Sequence, residues 1–210
     1  MENIKSKLEN IVSIIFILGY ISFLTYTMNE DRLTTRQELF KYIKENGRLE
    51  QELNTLKEEY NKLASSKKKI TAYIKKMNPA LAESQVKQYS QTIIKTSDEY
   101  GYDPLLHAAL IKSESTFKSS AKHSIKTVIG LGGVYWDKWS KKLKTAGIAD
   151  KITDLQNPIT NIKASGFILA EYLKQKNNRV YEAVVCYKGV SDVGRERATK
   201  VVAEYNNIKV

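Results

Sequence analysis

The chain has 210 residues, of which 42% are hydrophobic and 27% charged, and it carries a net charge of +11. This composition predicts a folded protein with one domain of ordinary size and some accessory segments. We expect no nucleic acid as a partner, because the basic excess comes without a basic-aromatic motif, zinc finger or recognition-helix pattern. One cysteine excludes an internal disulfide, and two histidines without ligand spacing indicate neither a metal site nor a metal cofactor.

The first predicted element is a membrane helix. Residues 11–27 contain no charge and are dominated by large apolar side chains, and at about 1.5 Å per residue they span roughly 25 Å, the short end for crossing a bilayer. Lys5 and Lys7 precede this run, so the positive-inside tendency places the N-terminus in the cytoplasm. We therefore predict an uncleaved anchor over residues 1–28. The competing interpretation is a cleaved signal peptide, although no small-x-small cleavage site follows the run.

Residues 39–77 repeat in sevens. One heptad position is held by Leu39, Asn46, Leu53, Tyr60, Lys67 and Ile74, and its partner by Tyr42, Leu49, Leu56, Leu63, Ile70 and Met77. Spacing that alternates between three and four is typical of a coiled coil. We predict a helical stalk over 29–79 that joins copies of the chain through residues 39–77. A lone amphipathic helix lying against the domain is the alternative.

The remaining residues, 80–210, predict a helical domain. Apolar periodicity and capping residues indicate a helix that begins at Pro104 and further helices at 83–100, 136–143, 158–174, 181–187 and 193–205. A Ser-, Lys- and Gly-rich stretch at 118–134 predicts a loop that lines a cleft. No segment alternates with the period of a strand. The predicted fold class is all-α, a helical domain preceded by a transmembrane helix and a coiled-coil stalk.

The central helix of this domain ends near a glutamate. Asp103 is a suitable N-cap and Pro104 suits the first helical position. Glu114 continues the face on which apolar residues recur at helical spacing, namely Leu106, Leu110 and Ile111. A carboxyl group at the edge of a packed interior is favoured in its neutral form, which a general acid requires. A glutamate near a helix end is more commonly solvated or paired with a lysine, and that alternative stays open.

Three motifs follow one another in a recognisable order. They are Glu114-Ser115-x-Phe117, then Gly130-Leu131, then the Tyr187-Lys188-Gly189 segment of the last-but-one helix. Over about residues 83–206 the chain resembles the SLT-type lytic transglycosylases, lysozyme-like enzymes that cut the glycan strands of bacterial peptidoglycan. In that family an Asp-Pro-x-Leu helix ends in Glu-Ser-x-Phe, a loop ends in Gly-Leu-Met-Gln, and a later helix carries Ala-Tyr-Asn-x-Gly. The resemblance implies a lysozyme-like helical fold for residues 80–210.

The resemblance also implies a reaction. Such enzymes cleave the MurNAc-GlcNAc β-1,4 bond, and the C6 hydroxyl of the substrate attacks C1 to form a 1,6-anhydromuramoyl end. Glu114 would act first as acid and then as base, with Asp137 as the nearest rival carboxylate. The anchored protein would be a single-pass inner-membrane enzyme whose domain faces the periplasm and cell wall. A lysozyme-type hydrolase of this fold and a non-catalytic glycan-binding or scaffold module of a cell-envelope apparatus are the alternatives.

Supporting roles are carried over residue by residue. The resemblance assigns the catalytic role to Glu114 and implies substrate-binding roles for Ser115 and Tyr187. We also predict substrate binding by Tyr135, whose ring offers a flat face for sugar stacking, and by Gly132, Gly133 and Lys188, which stand where the family has other residues. Ser115 could instead cap the helix end, Tyr187 could instead be buried packing, and Trp136 and Trp139 fit either sugar stacking or one buried helix face.

Two departures from the family predict altered subsites. Gly132-Gly133 replace Met-Gln, which removes the glutamine side chain and leaves backbone N–H groups to face the glycan. Lys188 replaces the asparagine of Ala-Tyr-Asn. We therefore expect weaker or more specialised activity.

Overall fold

The computed structural model describes residues 2–27 and 32–209. Within them lie eight α-helices, one 3₁₀ helix and one two-stranded hairpin: α1 (Glu2–Thr27), α2 (Arg32–Met77), α3 (Glu83–Tyr100), α4 (Pro104–Ser115), β1 (Val128–Ile129), β2 (Val134–Tyr135), α5 (Trp136–Thr145), the 3₁₀ helix (Ile152–Gln156), α6 (Pro158–Gln175), α7 (Val180–Lys188) and α8 (Asp192–Lys209). The all-α prediction is confirmed. Residues 28–31, where the predicted anchor meets the predicted stalk, lie outside the described residues.

The chain forms two compact units, residues 1–65 and residues 66–210. In the first unit, α1 is long and apolar enough to cross a membrane over Asn3–Tyr26, a stretch of 24 residues. A signal sequence near an N-terminus would meet the same criteria of length and composition. The choice between an anchor and a cleaved signal peptide therefore stays a prediction.

The end of α2 belongs to the core of the second unit. Ile70 and Ile74 are fully buried there, and Tyr73 is almost fully buried. We expected Ile70 and Ile74 to face a second copy of the chain, but side chains buried in their own domain offer no surface for that contact. The compact unit accordingly begins at Ser66 rather than at residue 80. The heptad pattern did not distinguish the two cases, because a helix packed on its own domain shows nearly the same apolar spacing.

The second unit is built around α4. The Asp103 carboxylate accepts a hydrogen bond from the N–H of Leu105 at 2.9 Å, and Pro104 occupies the first turn, as predicted. Every residue from Leu105 to Ile111 is buried, as in a helix that is enclosed on all sides. Helices α3, α6 and α8 pack against α4, and α7 packs between α6 and α8.

The chain turns sharply just after Glu114. Helix α4 ends at Ser115, and the next two residues, Thr116 and Phe117, adopt left-handed backbone conformations with φ of 51° and 58°. The Phe117 side chain is fully buried, which anchors the turn in the core. This turn leaves Glu114 in the final turn of a rigid, buried helix.

A short antiparallel hairpin follows the loop. Val128 pairs with Tyr135 and Ile129 pairs with Val134, so the turn between the strands consists of residues 130–133. The sequence did not predict this hairpin, because two residues per strand are too few to show an alternating pattern. The hairpin brings both Gly133 and Tyr135 to the end of α4.

Candidate active site

A cleft of about 350 Å³ opens beside the end of α4. Of the predicted site residues, the structure brings Glu114, Gly133, Tyr135, Tyr187 and Lys188 together in its lining. The 118–134 loop contributes to the lining, as expected, through His123, Ser124, Ile125, Val128 and Gly133. Lys138 and Arg197 also line the cleft; neither belongs to a recognisable motif, so sequence reasoning missed both.

Glu114 lies at the cleft in direct contact with Lys188. The Lys188 ammonium donates to Oε1 of Glu114 at 2.7 Å and to the hydroxyl of Ser113 at 2.9 Å. The side chains of Glu114 and Lys188 are only 15% and 5% exposed. Glu114 is thus both a cleft residue and the partner of a lysine. Lys188, which we expected to contact the glycan, has its ammonium bound to Glu114.

Gly133 allows the hairpin turn to lie against the Glu114 carboxylate. Its φ is +61°, and a Cβ at this position would lie 2.5 Å from Oε2 of Glu114. An L-residue with a side chain would be strained by the backbone conformation and would displace the carboxylate. Glycine is therefore required if Glu114 is to keep this position.

Gly132 packs in the opposite direction, against α6. A Cβ on Gly132 would lie 2.3 Å from the Cβ of Ser165. The N–H of Gly132 donates to Oδ1 of Asn161 at 2.7 Å, and the N–H of Gly133 donates to the carbonyl of Gly130 at 3.1 Å. Our expectation that these N–H groups face the glycan is therefore corrected: both are used within the protein, and Gly132 does not line the cleft.

Asn161 holds the hairpin turn in place. Its side chain is fully buried, and besides accepting from Gly132 it donates to the carbonyls of Ile129 at 2.8 Å and Leu155 at 2.9 Å. Sequence reasoning missed this residue. The available signal was a polar residue at a core-facing position of α6, one turn after Pro158.

Tyr187 connects α7 to the same turn. Its hydroxyl donates to the carbonyl of Gly132 at 2.8 Å, so it supports the turn behind Glu114 and does not hydrogen-bond the carboxylate itself. Its ring makes an edge contact with Tyr172, with 6.3 Å between the ring centroids. Burial, and next the charge of Glu114, raise the pKa of Tyr187 well above its usual value. Tyr187 is therefore a neutral phenol at physiological pH.

Uncharged side chains form a chain of hydrogen bonds behind the hairpin turn of residues 130–133. Nε2 of His107 is 2.8 Å from the hydroxyl oxygen of Ser165, and Nδ1 is 3.2 Å from the hydroxyl of Tyr102. Because the Ser165 hydroxyl donates to the carbonyl of Ile162, we assign the His107 proton to Nε2. Burial lowers the pKa of His107 to about 3, so the ring is uncharged at neutral pH.

Other residues considered from the sequence are held by contacts within the protein. Ser115 is buried, donates to the carbonyl of Ile111 at 3.2 Å and does not line the cleft. Trp139 lines the cleft but is almost fully buried against Phe167 and Tyr172. Asp137 accepts a hydrogen bond from the Thr127 hydroxyl at 2.8 Å. Among the described residues, Glu114 is the only carboxylate that lines the cleft.

Comparison with known proteins identifies the domain. A family model described as the transglycosylase SLT domain matches residues 91–208. The match begins within α3 and ends within α8, so it includes every residue that lines the cleft. No curated protein and no solved structure matches the chain.

Proposed function

The chain belongs to the transglycosylase SLT family, and we propose that it is a lytic transglycosylase that cleaves the MurNAc-GlcNAc β-1,4 bond of peptidoglycan and leaves 1,6-anhydromuramoyl ends. One observation carries the proposal: Glu114 lies within the family match and is the only carboxylate among the described residues that line the cleft. Most glycosidases place a second carboxylate about 5 to 9 Å from the first, to serve as nucleophile or to activate a water. A single carboxylate fits a reaction in which the substrate supplies its own nucleophile.

The proposed reaction uses Glu114 twice. As an acid, it gives a proton to the glycosidic oxygen while the bond from that oxygen to C1 breaks, and C1 becomes oxocarbenium-like. As a base, the resulting carboxylate accepts the proton of the C6 hydroxyl while the C6 oxygen bonds to C1 and closes the anhydro ring. The carboxyl group ends in its starting protonation state. The reaction consumes no water.

The other cleft residues support this use of Glu114. Gly133 leaves space for the carboxylate, and Asn161 and Tyr187 hold the turn that carries Gly133. Tyr135 is 39% exposed and lines the cleft, so its ring offers an apolar face on which a sugar could stack. We assign Tyr135 to substrate binding and Tyr187 to support of the site.

We also propose that α1 anchors the enzyme in the cytoplasmic membrane with its domain facing the periplasm and cell wall. The apolar stretch Asn3–Tyr26 supports a membrane span, and Lys5 and Lys7 support a cytoplasmic N-terminus. This placement puts the domain in the compartment that contains its proposed substrate.

The stalk is proposed to join two or more copies through the heptads of residues 39–63. The apolar residues of these heptads support the proposal, and Asn46 occupies one of the heptad positions. A single asparagine at such a position can fix the register and the number of helices in a coiled coil. Light scattering of the full chain in detergent tests this, and a monomeric protein mass would contradict it.

A second candidate function is glycan binding without cleavage. The contact between Glu114 and Lys188 favours it, because the Lys188 ammonium occupies an oxygen of the carboxyl group that would have to reach the glycosidic bond. In that case the domain would bind peptidoglycan as part of a larger envelope assembly. The same experiment separates the two functions.

The test is a digest of intact peptidoglycan by the full chain in detergent, with mass spectrometry of the released fragments. We expect fragments lighter by one water than hydrolytic products, and none with Glu114→Gln. Glu171→Gln is the matched control, since Glu171 also pairs with a lysine but does not line the cleft, and it should cleave normally. Hydrated reducing ends would indicate a lysozyme-type hydrolase. Binding to the peptidoglycan without any release would indicate the second candidate.

A further inference from the structure

Lys188 touches the group proposed to move the proton. Its ammonium is 2.7 Å from Oε1 of Glu114 and is held there by a second contact, to the hydroxyl of Ser113. With exposures of 5% for Lys188 and 15% for Glu114, little water reaches the pair. Electrostatic attraction in such a place is much less screened than at the surface.

The rest of the cleft offers Lys188 no other carboxylate. Its other ionisable lining residues are His123, Tyr135, Lys138, Tyr172, Cys186, Tyr187 and Arg197. Lys138 is engaged with the hydroxyl of Tyr172 at 2.6 Å, and both Lys138 and Arg197 add positive charge to the lining. Among the described lining residues, therefore, Glu114 is the only anionic partner that Lys188 can have.

This arrangement opposes the proposed chemistry at two points. A general acid must present a free oxygen to the leaving group, whereas Oε1 of Glu114 is already bound to the Lys188 ammonium at 2.7 Å. A fixed positive charge close to C1 also disfavours a transition state that develops positive charge there. Both effects slow the step in which the glycosidic bond breaks.

We propose that Lys188 restrains cleavage by holding Glu114 as its ion-pair partner. The inference rests on the proposed transglycosylase function and adds to it a residue that sets the rate. Lys188 acts through Glu114 and is thus a positioning residue, and its removal speeds the reaction. The weaker activity that we expect from the sequence is then due to this one contact, and the rest of the cleft remains competent.

The rate test compares lysine variants of the full chain in detergent, with solubilised glycan-strand fragments as substrate. Lys188→Gln and Lys188→Asn remove the ammonium from Oε1 of Glu114 and should raise kcat about tenfold or more, with KM changed by less than about twofold because the inference assigns Lys188 to the reaction step and not to substrate binding. Lys188→Arg keeps the cation and should stay near the unmodified rate. Lys112→Gln is the matched control. It breaks a partly buried ion pair between Lys112 of α4 and Glu204 of α8, away from the cleft, and should leave kcat unchanged.

The second measurement does not depend on activity. Thermal unfolding is recorded for Lys188→Gln, for Glu114→Gln and for the double variant. Each single change leaves a buried group without its partner and should lower Tm by about 5 °C or more. The double variant should lose clearly less than the sum of the two losses.

The outcomes separate the inference from the proposed function. Faster cleavage by Lys188→Gln and Lys188→Asn, with non-additive Tm losses, supports the inference. Release by the unmodified chain that neither variant accelerates overturns the inference and leaves the transglycosylase standing. No release by any variant overturns both. Additive Tm losses overturn the inference at its premise, because the two side chains would then not be coupled.

Discussion

Two ion pairs of nearly equal length occupy different environments in this protein. Glu114 and Lys188 lie 2.7 Å apart in the cleft with exposures of 15% and 5%, whereas Glu45 and Arg48 lie 2.6 Å apart on α2 with exposures of 44% and 61%. Water screens the attraction between the two charges on α2, and it solvates each charged group if the pair separates. In the cleft, each partner that loses the other remains as an uncompensated buried group. Burial, and not distance, therefore decides which polar contacts matter here.

The largest expected effect on stability comes from a buried amide in the same region. Asn161→Ala removes three hydrogen bonds and leaves the Gly132 N–H and the Ile129 and Leu155 carbonyls without that partner. We expect a loss of about 3 kcal/mol or more in the free energy of unfolding, measured by urea denaturation of the full chain.

The matched control for that change lies on the exposed helix. Asn54 is exposed on α2, and Asn54→Ala replaces it with a better helix former. The control should leave stability unchanged or slightly raise it. Equal losses at Asn161 and Asn54 would contradict the importance given to burial.

The next effect depends on pH and arises at His107. Its folded-state pKa of about 3 lies below the ordinary 6.5, so between these values the unfolded chain binds a proton that the folded chain does not. The free energy of unfolding should therefore fall as the pH falls, by about 1.4 kcal/mol per unit below pH 6.5, which amounts to roughly 2 kcal/mol by pH 5. This contribution is fully present above pH 6.5.

Urea denaturation at several pH values measures this slope, and His107→Gln provides the reference. The variant lacks the titrating ring, so the difference in slope between the two proteins reports His107 alone. Parallel stability curves for the two proteins below pH 6.5 would show that His107 is not buried in its neutral form.

Adding a methyl group at each glycine of the turn should have smaller and distinct effects. In Gly132→Ala, the added methyl group would contact the Cβ of Ser165, which cannot move away from the backbone. We therefore expect overpacking to lower the free energy of unfolding by about 1–3 kcal/mol. In Gly133→Ala, the added methyl group would contact the flexible end of the Glu114 side chain, and the left-handed backbone conformation would add about 1–2 kcal/mol of strain. This variant should reduce cleavage more than Gly132→Ala does, because it moves the carboxylate. Unfolding and digestion assays on both variants check this, and a reversed order would contradict the packing described.

The smallest effect is expected at the exposed ion pair. Arg48→Ala removes the partner of Glu45, which remains solvated, and alanine is a good helix former. We expect no measurable change in Tm. A loss comparable to that of Lys188→Gln would show that the exposed pair is coupled to other groups.

Local signals in the sequence predicted most of the helical domain. Asp103 and Pro104 defined the start of α4, and the apolar spacing along it placed Glu114 on the face that borders the core. The contacts that depend on the tertiary fold were not predictable in this way. Lys188 is distant from Glu114 in sequence, and we predicted that it contacts the glycan, although the fold places its ammonium on the carboxylate. Asn161 resembled any polar residue on a helix, because its three partners come together only once the hairpin forms.

The end of α2 illustrates a different limit. Ile70 and Ile74 fit a coiled-coil seam and a domain core equally well, since both require apolar side chains along one helical face. Only the three-dimensional structure shows that they are buried in their own domain. Apolar periodicity predicted the helix but could not identify what it packs against.

The most direct test of the central claim is a digest of peptidoglycan in water enriched in heavy oxygen. If Glu114 alone moves the proton and the C6 hydroxyl is the nucleophile, no solvent oxygen enters the product. We predict anhydro ends without the heavy label from the full chain, and no product from Glu114→Gln. Reducing ends that carry the heavy oxygen would show that water attacks C1, and would contradict the one-carboxylate reaction proposed for this cleft.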